Sequence, residues 1–338
     1  MLVRYGKNVD MRYINRNIRN INEITAKAKK VMETYYPEHG GVAPRCRICG
    51  DGKGAPFIKL LGKYDYYQCD QCGTLFLGEL PDIQSMYCGA EAVNSSSYID
   101  DAVYNRRVEM ISAPKIQFVL EACKEEGNIK VGSWLDIGCG GGEILSWLKY
   151  NSDIRAEGIE SDEREFRFTV SKGLEVNKCY IDLRYENSLV DQIIYRNDVV
   201  SLFNVLEHVE DPVGFLEYIY GHMHENSVLA LEVPRHPSIA SFANMTCSSV
   251  VYRHITTPGH LQVFTDQSIG ILLQNKFQVI GKWGFGQGYT DLVNNAMIMA
   301  GVEENILYDR LIDLSNKIQP VFDAEGLSDQ ILVVAVKI

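Results

Sequence analysis

A short strand that runs into a cluster of glycines constrains the fold of this chain more than any other feature. Residues 134–143 read Trp-Leu-Asp-Ile-Gly-Cys-Gly-Gly-Gly-Glu, and a helical stretch follows to Tyr150. Glycine has no side chain, so the backbone here can come close to a ligand. Such a turn fits ligand binding and a tight strand–helix connection equally well, and the neighbouring sequence has to distinguish the two.

Short apolar runs alternate with helical stretches from residue 131 onward. The runs lie at 134–137, 156–159, 199–203 and 228–233. This alternation is typical of βα units and predicts an α/β fold with a doubly wound, Rossmann-like, mostly parallel sheet. Two later runs, at 277–280 and 331–336, predict a reversed hairpin at the edge of that sheet.

Acidic residues flank the glycine turn on both sides. Asp136 precedes it, and Glu160 ends the next predicted strand, eighteen residues after Gly142. A carboxylate at this edge of a parallel sheet accepts hydrogen bonds from ribose hydroxyls. The same arrangement serves NAD, but the dinucleotide pattern is G-x-G-x-x-G, whereas here Asp136 is followed by glycine at every second position, at Gly138, Gly140 and Gly142.

Asp136 and the alternating glycines resemble motif I of class I S-adenosylmethionine-dependent methyltransferases. The resemblance covers residues 130–338, and the stretch 198–212 looks like the fourth-strand motif of that family. It implies that Asp136 and the turn hold the amino-acid end of S-adenosylmethionine. It also implies that Asn204 faces the cofactor and that Asp182 is the partner of the adenine amino group.

Two cysteine pairs have the spacing of metal ligands. Cys46-x2-Cys49 and Cys69-x2-Cys72 are separated by nineteen residues, and a glycine follows each pair. Four thiolates at this spacing predict one tetrahedral Zn²⁺, and a site closed by four protein ligands is structural. A zinc module in front of a methyltransferase domain resembles the layout of enzymes that tailor sugars, polysaccharides and natural products.

Charge and hydropathy limit the partners and the location. The formal net charge is −11, which disfavours a nucleic-acid substrate because an acidic surface repels phosphates. No apolar run reaches about 18 residues, and the first 30 residues form no apolar signal core, so we expect neither a membrane span nor export. Four of the nine cysteines have metal-ligand spacing and the rest are scattered, which suits a reducing cytoplasm.

Methyl transfer is an in-line displacement at a sulfonium, and a hydroxyl acceptor must also lose its proton. His208 follows the fourth predicted strand and is one candidate base, with Glu207 before it. The alternative is that this pair only orders the loop before the next helix. Some relatives bind magnesium through a Glu-x-x-Glu-His cluster here, but Asn204 stands in place of the first acid.

An insert at about 235–264 is expected to determine acceptor specificity, because it lies over the carboxyl edge of the sheet. Residues 259–265 resemble a segment of the same methyltransferase group, and His260 is the second candidate base. Other polar residues of the insert either contact a polar or phosphorylated acceptor or are structural: Arg235, His236, Tyr252, Arg253 and His254.

Two further segments are candidates for contact with the cofactor or acceptor. The stretch 81–128 is predicted to be a helical linker that caps the cofactor, and its candidate contacts are Tyr87, Tyr98, Tyr104, Arg106 and Arg107. Tyrosines are also ordinary packing residues. The loop at 283–289 either walls a sugar or aromatic ring or needs its glycines for geometry alone.

These patterns predict four regions. A helical extension covers 1–40, a zinc-binding module 41–80, the linker or cap 81–128, and a methyltransferase domain 129–338. The predicted activity is methyl transfer to a hydroxyl of a sugar, nucleotide-sugar or secondary metabolite. The alternatives are C-methylation of a nucleotide-linked keto-deoxysugar, an RNA or protein methyltransferase that docks through the zinc module, and a non-catalytic partner protein. The sequence leaves the oligomeric state open.

Overall fold

The computed structural model describes residues 1–7, 18–35, 45–50, 52–82, 84, 86, 101–250, 253–255, 259–302 and 305–338. Within these ranges no helix is long and apolar enough to cross a membrane. The chain forms two β-sheets, one of eight strands and one of four.

The strands, in chain order, are β1 (Leu2–Tyr5), β2 (Gly54–Leu60), β3 (Tyr64–Cys69), β4 (Leu75–Leu77), β5 (Ser133–Ile137), β6 (Arg155–Glu160), β7 (Val176–Lys178), β8 (Val199–Phe203), β9 (Val228–Pro234), β10 (Gln262–Val263), β11 (Phe277–Phe285) and β12 (Gln330–Lys337). The α-helices are α1 (Ile18–Tyr35), α2 (Asp101–Arg107), α3 (Ala113–Ala122), α4 (Glu143–Asn151), α5 (Glu163–Ser171), α6 (Ser188–Tyr195), α7 (Pro212–His222), α8 (Ile239–Thr246), α9 (Asp266–Leu273), α10 (Gly288–Ala300) and α11 (Ile306–Ala324). Two π-helical turns, Val108–Ser112 and Cys123–Gly127, and a 3₁₀ turn, Leu206–His208, complete the set.

The large sheet has the strand order β1-β11-β12-β9-β8-β5-β6-β7. Strands β5 to β9 are parallel to their neighbours in this group, whereas β12 is antiparallel to β9 and to β11. Every residue of β5 and β9 is buried, because helices cover both faces of the sheet. The predicted doubly wound α/β fold is therefore confirmed. The final two strands pair antiparallel as predicted, but only β12 is reversed, and β1 rather than this pair forms the edge of the sheet.

The order of the central strands creates a topological switch point. From β5 the chain proceeds outward to β6 and β7, then returns to add β8 on the other side of β5. Helices on the two sides of such a point diverge, and a crevice opens beyond the carboxyl ends of the strands. The glycine turn follows β5, and Asn204 follows β8, so both predicted motifs lie at this crevice.

The first residues form a strand that the sequence did not predict. The predicted helical extension contains the helix Ile18–Tyr35, but Leu2–Tyr5 pairs in parallel with β11 at the sheet edge. The indole nitrogen of Trp283 donates a hydrogen bond to the carbonyl oxygen of Gly6 at 2.7 Å. Trp283 is buried there, so it belongs to the core and does not wall an acceptor site.

The small sheet joins two parts of the chain that are far apart in sequence. Its order is β10-β4-β3-β2, and β10 comes from the insert after β9. Leu261 and Val263 of the insert share a buried cluster with Leu75 and Leu77 of β4. The predicted four-region division stays a prediction, but the zinc-module region and the insert are packed as one layer.

Strand β12 gives a direct test of this core. Leu332 is fully buried, so Leu332→Ala should lower the free energy of unfolding by about 2–5 kcal/mol through lost burial and a residual cavity. The control Leu307→Ala removes the same atoms from a side chain that is 60% exposed. It should change the free energy of unfolding by less than about 0.5 kcal/mol. Urea denaturation measures both, and equal effects would contradict the placement of β12.

Candidate functional site

A cavity of about 600 Å³ lies at the switch point, beyond the carboxyl ends of β5, β6 and β8. Six of the residues predicted from sequence line it: Gly138, Gly140, Glu160, Asp182, Asn204 and His208. Three others, Asp136, Gly142 and His260, are not among its lining residues in the described part of the chain. Its apolar walls include Ile137, Ile159, Ile181, Val205 and Phe215.

The glycine turn is tight enough to exclude side chains. Gly138 has φ +69°, and a Cβ on it would lie 2.7 Å from Cγ2 of Val205. Gly142 has φ +75°, and a Cβ there would lie 2.5 Å from Cγ2 of Thr169. These positions need glycine both for the backbone conformation and for the space. The turn therefore presents bare backbone to the cavity.

Glu160 links the glycine turn to the start of helix α5. Its Oε2 accepts a hydrogen bond from the Gly140 amide at 2.8 Å, and its Oε1 accepts from the amides of Ser161 and Asp162 at 2.7 Å each. Burial raises the pKa of this carboxyl, although the three amides oppose the shift. An ionised carboxylate has about four acceptor positions, so one remains for a ligand in the cavity.

Asp136 lies beneath the turn. Its side chain is 3% exposed, and its Oδ1 accepts a hydrogen bond from the Ser201 hydroxyl at 2.6 Å. Burial raises the pKa of Asp136 to about 7. The group therefore changes charge near neutral pH, unlike an ordinary aspartate.

Asp182 and Asn204 both line the cavity. Both oxygens of Asp182 accept hydrogen bonds from the guanidinium of Arg184, and these bonds lower its pKa. Asn204 has φ +56°, and its amide donates to Oε1 of Glu232 at 3.2 Å. Glu232 is in turn paired with the buried Lys115 at 2.6 Å, an ion pair that the sequence gave no reason to expect.

Part of the predicted cap touches the glycine turn. The hydroxyl of Tyr104 donates to the carbonyl oxygen of Gly142 at 3.2 Å, and Arg107 pairs with Glu143 at 2.9 Å. Tyr87 and Tyr98 lie outside the described residues. The helices that precede β5 therefore contact the glycine turn. That this segment caps the cofactor stays a prediction, since none of residues 101–128 is among the lining residues of the cavity.

The two candidate bases come together with one carboxylate. The Nε2 atoms of His208 and His260 each lie 4.0 Å from Oε1 of Glu207, and the two rings meet edge-on at 5.0 Å. Nδ1 of His208 bonds the carbonyl oxygen of Gly259 at 2.6 Å, and Nδ1 of His260 bonds that of His254 at 2.8 Å. A carbonyl only accepts, so each Nδ1 carries the proton and each neutral ring has its lone pair on Nε2.

The electrostatics of this cluster follow from its burial. Burial lowers the pKa of His208 to about 4 and that of His260 well below its usual value, with His208 adding to the second shift. Both rings are neutral at pH 7. Glu207 is fully buried, neither of its oxygens has a hydrogen-bond donor among the residues that the structure describes, and burial raises its pKa well above the usual value. A buried acid without donors is costly, so the cluster is a functional candidate rather than a packing feature.

The four predicted metal-ligand cysteines form a compact cluster. Their Sγ atoms lie within 4.8 Å of one another, with Cys46 and Cys72 at 3.6 Å and Cys49 and Cys69 at 3.5 Å. A tetrahedral zinc with bonds of about 2.3 Å requires sulfurs about 3.8 Å apart, so the spacing fits. The Gln71 amide also donates to the Cys69 sulfur at 3.4 Å, as is typical of zinc knuckles.

Other polar residues of the insert lie in buried networks. Arg235 pairs with Asp266 at 2.6 Å, and Arg253 pairs with Asp291 and with Asp329. His236 and His254 both bond the Ser241 hydroxyl, at 3.0 Å each. Tyr252 lies outside the described residues. The structure thus gives these four side chains partners within the protein, where the sequence left open a contact with the acceptor.

Comparison with known families agrees with this geometry. The family model described as a methyltransferase domain matches residues 104–276, which is slightly more than half of the chain. The chain belongs to the methyltransferase domain family. The match begins in the capping helix α2 and ends just before β11, so it includes the whole switch-point cavity except the residues at 82 and 84. The predicted methyltransferase class is confirmed.

Individual relatives are distant. The ubiquinone biosynthesis O-methyltransferase of Leptothrix cholodnii is 27% identical over 114 residues, which cover 33% of this chain and 47% of that protein. The chain thus spans about half the length of the curated relative it matches. A SAM-dependent methyltransferase from Archaeoglobus fulgidus has 18% identity and a TM-score of 0.44 over 71% of this chain and 100% of its own. The plantazolicin methyltransferase BamL has 13% identity and a TM-score of 0.43 over 75% of this chain and 94% of its own.

The buried Asp136 gives a prediction for stability. Its pKa is about 7 in the folded chain and near 3.8 when exposed. The contribution of this group to the free energy of unfolding is therefore fully present at low pH and is lost as the pH rises through 7. Asp136→Asn keeps an acceptor for Ser201 and removes the buried charge. It should raise the free energy of unfolding at pH 8 by up to about 4 kcal/mol.

The pH series supplies the control for this measurement. Urea denaturation at pH 5, where Asp136 is protonated in the folded protein but mostly ionised in the unfolded chain, should show a gain of about 2 kcal/mol, roughly half of that at pH 8. An equal gain at pH 5 and pH 8 would contradict the role of burial in the shift.

Proposed function

We propose that this protein transfers a methyl group from S-adenosylmethionine to a hydroxyl of a small molecule, most simply an uncharged sugar or secondary metabolite. The observation that carries the proposal is the composition of one cavity. Bare glycine backbone, Glu160 and His208 all line it. A methyl donor and a proton acceptor would therefore face the same space.

The residues present fit the cofactor. Gly138 and Gly140 would contact its amino-acid end, with Asp136 and Gly142 shaping the turn from behind, and Glu160 would accept from the ribose. Asp182 would lie near the adenine, with Ile159 and Ile181 on the ring faces, and Asn204 would lie near the sulfonium end. S-adenosylmethionine supplies an electrophilic methyl group, so the protein has to orient the acceptor and accept its proton.

The histidine pair would accept that proton. His208 lines the cavity and is neutral, with the lone pair on Nε2, and His260 stands behind it in the same state. A proton that reaches either Nε2 comes within about 4.0 Å of Oε1 of Glu207, and the positive imidazolium would favour ionisation of this carboxyl, whose pKa burial raises. This explains why an acid without donors is kept beside two neutral rings.

The charges around the cavity support the choice of acceptor. Seven lining side chains are carboxylates, whereas Arg184 is the one lysine or arginine among the described lining residues, and it already pairs with Asp182. Such a rim repels phosphates. It favours an uncharged acceptor over a nucleotide-linked sugar, and over RNA docked through the zinc module.

A second candidate mechanism rests on the same cluster. Glu207, His208 and His260 offer one ligand atom each within 4.8 Å, and the carbonyls that bond both Nδ1 atoms would orient the imidazoles as they do around metals. Two imidazoles and one carboxylate suit a divalent transition metal. Such an ion would acidify an acceptor hydroxyl and replace the base.

We also propose that the four cysteines bind one structural Zn²⁺. The sulfur spacing fits, and the four thiols leave no coordination position for substrate. Free thiols held ready for a metal fit a reducing compartment such as the cytoplasm.

Two variants should distinguish residues that bind the cofactor from residues that act in methyl transfer. Glu160→Gln removes the charge that the ribose would meet and should weaken the Kd for S-adenosylmethionine by about ten- to a hundredfold, measured by calorimetry. His208→Gln should leave that Kd within about twofold and lower kcat for methyl transfer by about a hundredfold or more. The control Glu175→Gln makes the same charge change at an exposed site. Unchanged binding in Glu160→Gln would refute the cofactor site.

Metal content tests the cysteine cluster and the second mechanism together. The purified protein should contain one zinc per chain, and Cys69→Ser should lose it with a lower midpoint of thermal unfolding, because the bound ion stabilises the fold. Cys247→Ser, at a buried cysteine outside the cluster, should keep it. A second equivalent of metal that survives Cys69→Ser but is absent from His260→Gln would favour the metal-assisted mechanism. Absence of zinc from the wild-type chain would overturn the structural site.

A further inference from the structure

The small sheet reaches the catalytic cluster through one buried hydroxyl. Tyr66 of β3 is fully buried, and its hydroxyl donates to the main-chain carbonyl of His260 at 2.6 Å. The two residues are 194 positions apart in sequence. A tyrosine hydroxyl buried in an apolar cluster is retained only where it has such a partner, since burial without one is costly.

The segment 259–265 is held from two opposite sides. On one side, the amide of Leu77 donates to the carbonyl of Leu261 at 2.8 Å, as part of the pairing of β4 with β10. On the other side, the amide of Leu261 donates to the carbonyl of Glu207 at 2.7 Å. Gln262 adds two side-chain bonds to the same turn, to the carbonyls of Leu206 and Val209 at 2.8 Å each. The segment is therefore the connection between the small sheet and the turn that carries Glu207 and His208.

The cysteine cluster fixes the outer side of this connection. The hydroxyl of Thr265 donates to the carbonyl of Cys72 at 2.6 Å. Arg47, which lies between the first two cysteines, donates to the carbonyl of Leu77 at 2.8 Å and reaches that of Leu261 at 3.5 Å. Movement of the cysteine knuckles would thus shift the backbone on which His260 is mounted.

We propose that Tyr66 is a positioning residue, through which the zinc-binding module sets the place of His260 relative to Glu207 and His208. This inference rests on the proposed function, since it deepens the role of the same cluster. By this proposal the zinc-binding module helps to place the group that accepts the acceptor's proton, and it takes no part in cofactor binding. The cofactor end of the cavity is built on β5 and β6, which have no strand pairing with the small sheet in the described chain.

Removal of one oxygen tests the proposal. Tyr66→Phe leaves the ring in the core and the carbonyl of His260 without its donor. We expect kcat to fall by about ten- to a hundredfold, because a displacement of a catalytic group by about 1 Å has an effect of this size. The Kd for S-adenosylmethionine and the zinc content should stay unchanged. The ring resonances of His260 in histidine-labelled protein should shift, with the signals assigned by comparison with His260→Gln. Tyr67→Phe is the matched control, because it removes a hydroxyl from the neighbouring residue, whose ring stacks on Phe76.

Several outcomes separate the possibilities. Unchanged kcat and unchanged His260 resonances in Tyr66→Phe, or equal changes in Tyr67→Phe, would overturn the proposal. If Tyr66→Phe loses zinc or does not fold, Gln262→Met breaks the connection on its other side and should give the same fall in kcat with unchanged cofactor affinity, and normal turnover there would overturn the proposal. A wild-type chain that binds no S-adenosylmethionine would refute the proposed function instead, while the resonance shift would still report on positioning.

Discussion

The hydrogen bonding of β5 to both β6 and β8 is the constraint on which the site depends. Because the chain leaves β5 in one direction and returns on the other side, a crevice opens beyond Ile137 at the carboxyl ends of these strands. The amides of Gly138 and Cys139 bond back to Ile159, which fixes the turn against β6. Glu160 then accepts the Gly140 amide. The ligand-facing surface is thus main chain, held in place by the sheet that it terminates.

Around this surface the chain accumulates charges that weaken its own stability. Asp136 lies under the turn and Glu207 lies behind the histidines, and neither has a cationic partner at hydrogen-bond distance among the described contacts. Burial raises the pKa of both. Structural ion pairs elsewhere look different: Glu157 is bound by Arg196 and Asn197, and its pKa is lowered. The contrast distinguishes the first two acids, whose pKa burial raises, from a carboxylate that the fold neutralises with a cation.

The sequence predicted those features of the site that lie within short local motifs. It did not predict those that depend on contacts between residues far apart in the chain. The glycine turn, Glu160 and the cysteine pairs lie within local patterns, and the structure brings each set together. The strand Leu2–Tyr5 was missed, because its partner β11 lies more than 270 residues away. The sequence also could not decide whether Arg235 and Arg253 contact the acceptor or are structural, because their carboxylate partners are not neighbours in sequence. From sequence alone, a polar residue of the insert that faces solvent cannot be distinguished from one that pairs with an aspartate inside the protein.

The two halves of the site differ in what supports them. The cofactor half rests on parallel strands whose residues are buried on both faces, an arrangement with little freedom to move. The half that we assign to the acceptor rests on β10, which is two residues long, pairs with β4 and is bonded to the Leu206 turn through Gln262. Cys46, Cys69 and Cys72 pack in the same buried cluster as Leu202 of β8. Ile137 and Ile159, which flank the glycine turn, belong to the same cluster, so the metal-ligand region is part of the wall of the methyltransferase core. Its hydrogen bonds through Cys72 and Arg47 lead to the segment that carries His260.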